Sequence, residues 1–319
     1  MSILIGMLAL VLSVLLTGLI RRRAALDVPN DRSAHTAPVP TGGGVGIVLG
    51  TALTVLLAGW LLSPWPLDYR MLVNLALVLM LLGWMDDRIG LPVWLRFGVY
   101  LGVCGFAVFD LLPAAPLWLV GLAGFYCLWM VNLFNFMDGI DGIAASEAVF
   151  VMLASAGLGS LAGASPHFVL LCVSLGAACL GFLYWNWYPA RLFMGDEGSI
   201  PLGFLLAALA LLGAGQGDLP LAVSLILVAV FVGDASLTLA RRLWRRENVT
   251  VAHSQHAYQR LARYWGRHDR VVQAMTGYNL LWLLPLAFAA LRYPALAGLC
   301  VLLAYVPLLV LLLKTGKLP

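Results

Sequence analysis

Residues 2–23 read SILIGMLALVLSVLLTGLIRRR. From Ser2 to Ile20 no side chain is charged, and Arg21, Arg22 and Arg23 follow directly. About 20 apolar residues in a helix cross the hydrocarbon core of a bilayer. A cleavable secretory leader carries its positive charge ahead of the apolar stretch. Here the charge comes after it, which predicts a retained first span with its N-terminus outside and its arginines in the cytoplasm.

The rest of the chain extends that pattern. Of its 319 residues, 62% are hydrophobic and 11% charged, and the mean hydropathy is +0.95. Soluble domains run near half apolar and about a quarter charged, so a water-soluble globule is excluded. Apolar runs predict spans near 2–20, 43–63, 70–85, 93–112, 115–135, 143–162, 168–186, 199–215, 220–240, 272–291 and 294–313. The expected fold is an all-α integral membrane protein of about 11 transmembrane helices. It forms a single polytopic domain over 1–319, with the C-terminus cytoplasmic and cytoplasmic loops near 21–42, 86–92, 136–142, 187–198 and 241–271.

The distribution of charge along the whole chain tests this topology. Of the 19 Lys and Arg residues, only Arg70 and Arg292 fall on the outer side. The remaining 17, among them Arg88, Arg96 and Arg191, fall on the inner side, as the positive-inside rule requires. Most acidic residues gather on the same side, from Asp86 and Asp87 through Asp138, Asp141 and Asp196 to Asp234 and Glu247. That rule does not govern carboxylates, and a shared cytoplasmic site does account for them.

Several function classes drop out. The only lysines are Lys314 and Lys317, so no glycine-loop lysine of a P-loop NTPase exists, and no GxSxG serine-hydrolase elbow occurs. The five cysteines all lie in apolar runs without a CxxC, which reads as helix packing.

Five polar segments carry the chemistry. The loop from Asp27 through Arg32 and His35 to glycines 42–44 is either an ordinary polar entry into a helix or a loop whose backbone approaches an anionic ligand. Asp86-Asp87-Arg88 ends the third span, where the helix dipole disfavours negative charge, so a cation or a nearby arginine should compensate. Asn135-Phe136-Met137-Asp138-Gly139-Ile140-Asp141-Gly142 contains two Asp-Gly turn signals. A plain turn leaves Asn135 and Asp138 unexplained, and if the helix persists they share a face with Asp141. Oxygen donors of this kind suit Mg²⁺. Met194-Gly195-Asp196-Glu197-Gly198-Ser199 adds a carboxylate on a tight loop. The connection from Arg241 to Arg270 holds eight arginines with His253, His256 and His268. Attraction to anionic lipid explains part of it. A zinc pair at His253 and His256 lacks a third ligand, and phosphate binding by histidines and arginines fits better.

At these residues the chain resembles the polyprenyl-phosphate N-acetylhexosamine-1-phosphate transferases of glycosyltransferase family 4. The order PNxRSxH, GGG, DD, NxxNFMDGIDG, MGDEGS and a late HAYQR covers nearly the whole chain. The resemblance implies transfer of N-acetylhexosamine-1-phosphate from a UDP-sugar to undecaprenyl phosphate with release of UMP. It implies Mg²⁺, with Mn²⁺ as a substitute, at an active site on the cytoplasmic face of a bacterial inner membrane. Asp86, Asp87, Asp138 and Asp196 would be catalytic, and Asp196 and Asn135 would hold the metal. Asn135, Asp141, His253, His256, Arg260, Arg32 and His35 would bind substrate. The separated His253 and His256, followed by HAYQRL, are most similar to the O-antigen and lipopolysaccharide-initiating branch. Partners are then the lipid bilayer and the two substrates, with no nucleic acid; the sugar is left open, as is the oligomeric state, a homodimer being one option. The rivals are a secondary transporter of an anionic substrate, which places charges at mid-membrane, and a lipid-binding scaffold, which needs no acidic loops.

Overall fold

A computed structural model describes residues 1–29, 37–248 and 254–315. Arg32, His35 and His253 therefore lie outside the described residues. The helices are α1 (Ser2–Arg21), α2 (Gly44–Leu61), α3 (Leu67–Ile89), α4 (Val93–Leu111), α5 (Leu117–Met137), α6 (Ile143–Ala162) and α7 (Pro166–Asn186). They continue with α8 (Asp196–Gln216), α9 (Leu221–Leu227), α10 (Ala229–Trp244), α11 (Ala257–Trp265), α12 (His268–Tyr278), α13 (Leu284–Arg292) and α14 (Ala297–Thr315). Asn279–Leu283 is a π-helical turn that joins α12 and α13. Two short strands, β1 (Leu26–Asp27) and β2 (Val39–Pro40), pair antiparallel beside the start of α2.

Among the described residues, ten helical segments are long and apolar enough to cross a membrane, and α9 with α10 makes an eleventh if counted as one broken span. The chain is an all-α, multi-pass membrane protein. The expected continuous ninth helix is instead bent by 71° at Val228. No proline marks this bend, so hydropathy alone reads straight through it.

The centre of the bundle is α8. Its spanning window is 89% buried, against 22% for α1 and 18% for the last span. Small residues permit that burial. A Cβ at Gly203 would run into the backbone of Met130 on α5, and one at Gly83 of α3 would meet the Glu197 backbone at 2.5 Å. Gly44 likewise lies against Gly198. These contacts bring α2, α3 and α5 onto the first turns of α8.

The polar ends of the helices sort into two groups. At one end Asp218 accepts from the Ser165 backbone N–H at 2.6 Å, and the Tyr69 hydroxyl donates to Gln216 at 2.9 Å. This is a latch among short connections. The acidic motifs lie at the other end.

Between the two ends, Glu147 of α6 is fully buried and accepts from Asn279 Nδ2 at 2.6 Å. Asn279 opens the π turn, and such turns re-aim a side chain that a regular helix would misplace. Asn279→Leu leaves a buried carboxyl without this partner. It should lower stability by about 1–3 kcal/mol, whereas Glu147→Gln, which keeps a polar partner, should cost less. Thermal unfolding in detergent orders the two variants.

Candidate functional site

Asp196 is the first residue of α8, so its carboxylate lies at the positive end of the most buried helix. Gly195 makes the turn that admits it, with φ +75°, a conformation that L side chains rarely adopt. Asn135, in the last turn of α5, donates from Nδ2 to Asp196 at 2.7 Å and to Ser199 Oγ at 3.2 Å. Helix α5 stops at Met137 and Asp138 is its C-cap, so Asp138 and Asp141 come together through a turn and not along a helix face.

These residues line a cleft of about 360 Å³, with Asn135, Asp138, Asp141, Asp196 and Ser199 among its walls. Asp138 is half-buried there. Burial, then the charges of Asp196 and Asp141, push its carboxyl well above the usual carboxylate range. Such a group stabilises the fold below the ordinary pKa of about 3.9, and that contribution is lost as pH rises toward the raised value. Asp138→Asn should therefore stabilise the cation-free protein, with a gain that grows from pH 5 to pH 8. Melting curves at the two pH values check the sign.

Asp141 is buried and largely committed to the chain. It accepts from the Ala190 backbone N–H at 2.9 Å and faces His268 Nδ1 at 3.3 Å. Asn186 supports the same turn by accepting from the Gly142 N–H at 2.9 Å. Asp141 thus shapes the floor of the cleft and orients His268, which also lines it.

The carboxylate pair at the end of α3 divides. Asp86 accepts from the Leu91 N–H at 2.7 Å and forms an ion pair with Arg96 of α4. Arg96 is also 4.0 Å from Asp196. It is the compensating cation that the C-terminal position of Asp86 requires, and it ties Asp86 to the cleft. Asp87 turns elsewhere, toward Gly195 and Glu197. Glu197 is buried, and the sequence reading passed over it in favour of its neighbour.

At Gly43 and Gly44 the glycine-rich entry to α2 spends its amides on the chain and not on a ligand. Gly43 and Gly44 donate to the Phe193 and Met194 carbonyls, both at 2.8 Å, and Phe193 donates to Pro40 at 2.8 Å. The glycines hold the loop that carries Asp196.

His256 is buried and lies outside the cleft. It caps α11, stacks on Tyr258 with centroids 5.6 Å apart and sits 3.5 Å from Asp234. Asp234 accepts from the N–H groups of Ala257 at 2.9 Å and Tyr258 at 3.0 Å. The Tyr258 hydroxyl then donates to the Phe136 carbonyl at 2.9 Å, docking α11 against the 136–142 turn. Burial, then Asp234 and Asp138, push the Tyr258 phenol well up, so it remains a donor. Arg260 lines a different cavity. Of α11, it is Gln259 that reaches the cleft.

Beside the cleft lies a larger groove of about 680 Å³ between the ends of α1, α2 and α3. Its walls are apolar, with Met80, Leu81 and Trp84 on one side. Arg22, Arg23, Arg88, Asp87 and Glu197 stand at its polar end, and it shares Thr41 with the cleft.

Among the described residues, no three His, Cys, Asp or Glu side chains converge to enclose a metal by themselves. Mg²⁺ does not need such a cage, since it binds one or two carboxylates and keeps waters or substrate phosphates. The hard oxygen donors of Asp138, Asp196 and Ser199, with the mutual repulsion at Asp138, fit that ion.

Oxygen donors, an arginine and an apolar groove thus meet at one end of the bundle. Residues 69–214 match the glycosyl transferase family 4 model. It is 28% identical to a probable undecaprenyl-phosphate N-acetylglucosaminyl 1-phosphate transferase of Bacillus subtilis, covering 80% of this chain and 75% of that one. It is 27% identical to the decaprenyl-phosphate N-acetylglucosaminephosphotransferase of Mycolicibacterium smegmatis, over 98% and 89% of the two chains. A phospho-N-acetylmuramoyl-pentapeptide-transferase of Synechococcus is 37% identical, over 56% of each chain.

Proposed function

We propose that this protein transfers an N-acetylhexosamine-1-phosphate from a UDP-sugar to undecaprenyl phosphate. An oxygen of the lipid phosphate attacks the β-phosphorus, the bond to the α-phosphate oxygen breaks, and UMP leaves. The observation that carries the reading is the convergence of Asn135, Asp138 and Asp196 on one cleft that adjoins an apolar groove with a charged mouth. The relatives support it, since all three are named as transferases of a phosphosugar and two name a polyprenyl phosphate.

The chain's own contribution is placement and charge. Asn135 fixes the rotamer of Asp196, and Arg96 offsets Asp86 and Asp196 together. Mg²⁺, held by Asp196 and Asp138 with the Asn135 amide beside them, would neutralise charge on the diphosphate. No residue needs to act as a strong base, because a phosphate monoester with a second pKa of about 6 is already mostly ionised near neutral pH. Asp87 then positions the acceptor rather than deprotonating it.

Orientation and pathway belong to the same proposal. The N-terminus lies outside and the C-terminus inside, with the cleft on the cytoplasmic face of a bacterial inner membrane. A C-terminal reporter active only outside the cytoplasm contradicts that orientation. The HAYQRL stretch favours a simple N-acetylhexosamine donor for O-antigen or a related surface polysaccharide. Competition assays separate the two substrates. Equal rates with a short, prenyl-free phosphate would remove the lipid acceptor. Preference for UDP-muramyl-pentapeptide over every simple UDP-N-acetylhexosamine would remove the donor assignment.

A further inference from the structure

Of the described histidines, only His268 lines the cleft. It is the first residue of α12, and its ring is held from two sides. Tyr188 packs edge-on against it, with centroids 5.2 Å apart and ring planes at 60°. Asp141 meets Nδ1 twice, through its backbone N–H at 3.3 Å and its carboxylate at 3.3 Å.

These contacts decide which ring nitrogen faces outward as a donor. A backbone N–H can only donate, so in the neutral ring Nδ1 accepts from Asp141 and carries no proton. The proton then sits on Nε2. In the charged ring both nitrogens carry protons, and Nδ1 turns its own to the Asp141 carboxylate. In either state Nε2 presents an N–H.

That donor stands at the acidic part of the cleft. The 136–142 turn that carries Asp141 also carries Asp138, whose carboxyl is close enough to respond to the charges of Asp141 and Asp196. Asp138 and Asp196 are the two residues assigned above to Mg²⁺. A diphosphate bridging to that ion comes up against carboxylates, and it gains most from an N–H donor fixed among them. Hydrogen bonds to an ionised phosphate oxygen are roughly twice as strong as neutral ones.

We propose that His268 is a substrate-binding residue whose Nε2–H donates to a non-bridging oxygen of the donor's diphosphate. The assignment rests on the transferase reading, which puts a nucleotide diphosphate in this cleft. Asp141 and Tyr188 act through His268 as positioning residues.

Nucleotide binding tests the contact without turnover. The full-length protein in detergent micelles with Mg²⁺ is titrated by calorimetry with UDP and, separately, with uridine. Wild type should bind UDP more tightly than uridine. His268→Ala should weaken UDP binding about tenfold, as expected for one hydrogen bond to a charged group, and leave uridine binding unchanged. His268→Gln returns an N–H near the place of Nε2 and should recover part of the loss. If the alanine variant fails to fold, His268→Phe keeps a ring against Tyr188 without the donor, and the same loss is expected. UDP binding unchanged in these variants overturns this contact alone. Equal weakening of UDP and uridine also overturns it, since the ring would then serve the nucleoside or the fold. Wild type that binds no UDP overturns the contact together with the transferase reading beneath it.

Discussion

Asp196→Asn should lower turnover by about a thousandfold or more, equivalent to roughly 4 kcal/mol of transition-state stabilisation, in a protein that still folds. The substitution keeps the shape and the hydrogen bond to Asn135, which lies 2.7 Å away. What it removes is a negative charge at the head of α8, the charge on which the proposed Mg²⁺ site depends. Folding should survive because the helix is held by the apolar length of α8 and not by its first residue. Initial rates across a Mg²⁺ titration, with a melting curve alongside, make the measurement. A well-folded Asp196→Asn protein with substantial activity at ordinary Mg²⁺ would remove Asp196 from the metal site.

Arg96→Ala should cost about a hundredfold in kcat/KM. Arg96 forms an ion pair with Asp86 and stands 4.0 Å from Asp196, so its loss leaves two carboxylates facing each other across the site without their cation. The Arg96 side chain is 29% exposed, which lets solvent soften the penalty on stability. The kinetic effect should therefore exceed the effect on Tm. Arg96→Lys restores the charge but not the planar fork, and should recover part of the rate. Equal activity of Arg96→Ala and wild type would make the pair merely a helix tie.

Both residues show how much the sequence disclosed. Asp196 was legible because MGDEGS places a carboxylate on a glycine turn next to an apolar run. Arg96 was legible only as a topology charge, because its partner Asp86 is brought near by the turn at Gly90, which takes φ +64°. The spans were readable almost to their ends, since bilayer thickness fixes how long an apolar run must be. The break at Val228 was not, because neither a proline nor a glycine stands at it.

His256 marks the other limit. Its neighbours in sequence, arginines and a second histidine, suggest phosphate chemistry. The fold spends it on the N-terminus of α11, where Asp234 from α10 meets it. A contact between residues 22 positions apart on different helices leaves no periodic trace. Arg260 likewise follows Gln259 by one residue and faces another cavity, because adjacent residues on a helix do not share a face. The membrane side groups Asp138, Asp141 and Asp196, which line one cleft, but also Asp234 and Glu247, which do not line it, and the helix face invoked for Asp138 and Asp141 ends at Met137.

The most direct test of the central claim is the identity of the nucleotide released. Purified protein is incubated with undecaprenyl phosphate, Mg²⁺ and a panel of UDP-N-acetylhexosamines, and the soluble products are separated. Phosphosugar transfer predicts UMP in equal amount to a lipid-linked pyrophosphoryl sugar. Release of UDP instead, which marks transfer of the sugar without its phosphate, would contradict the account.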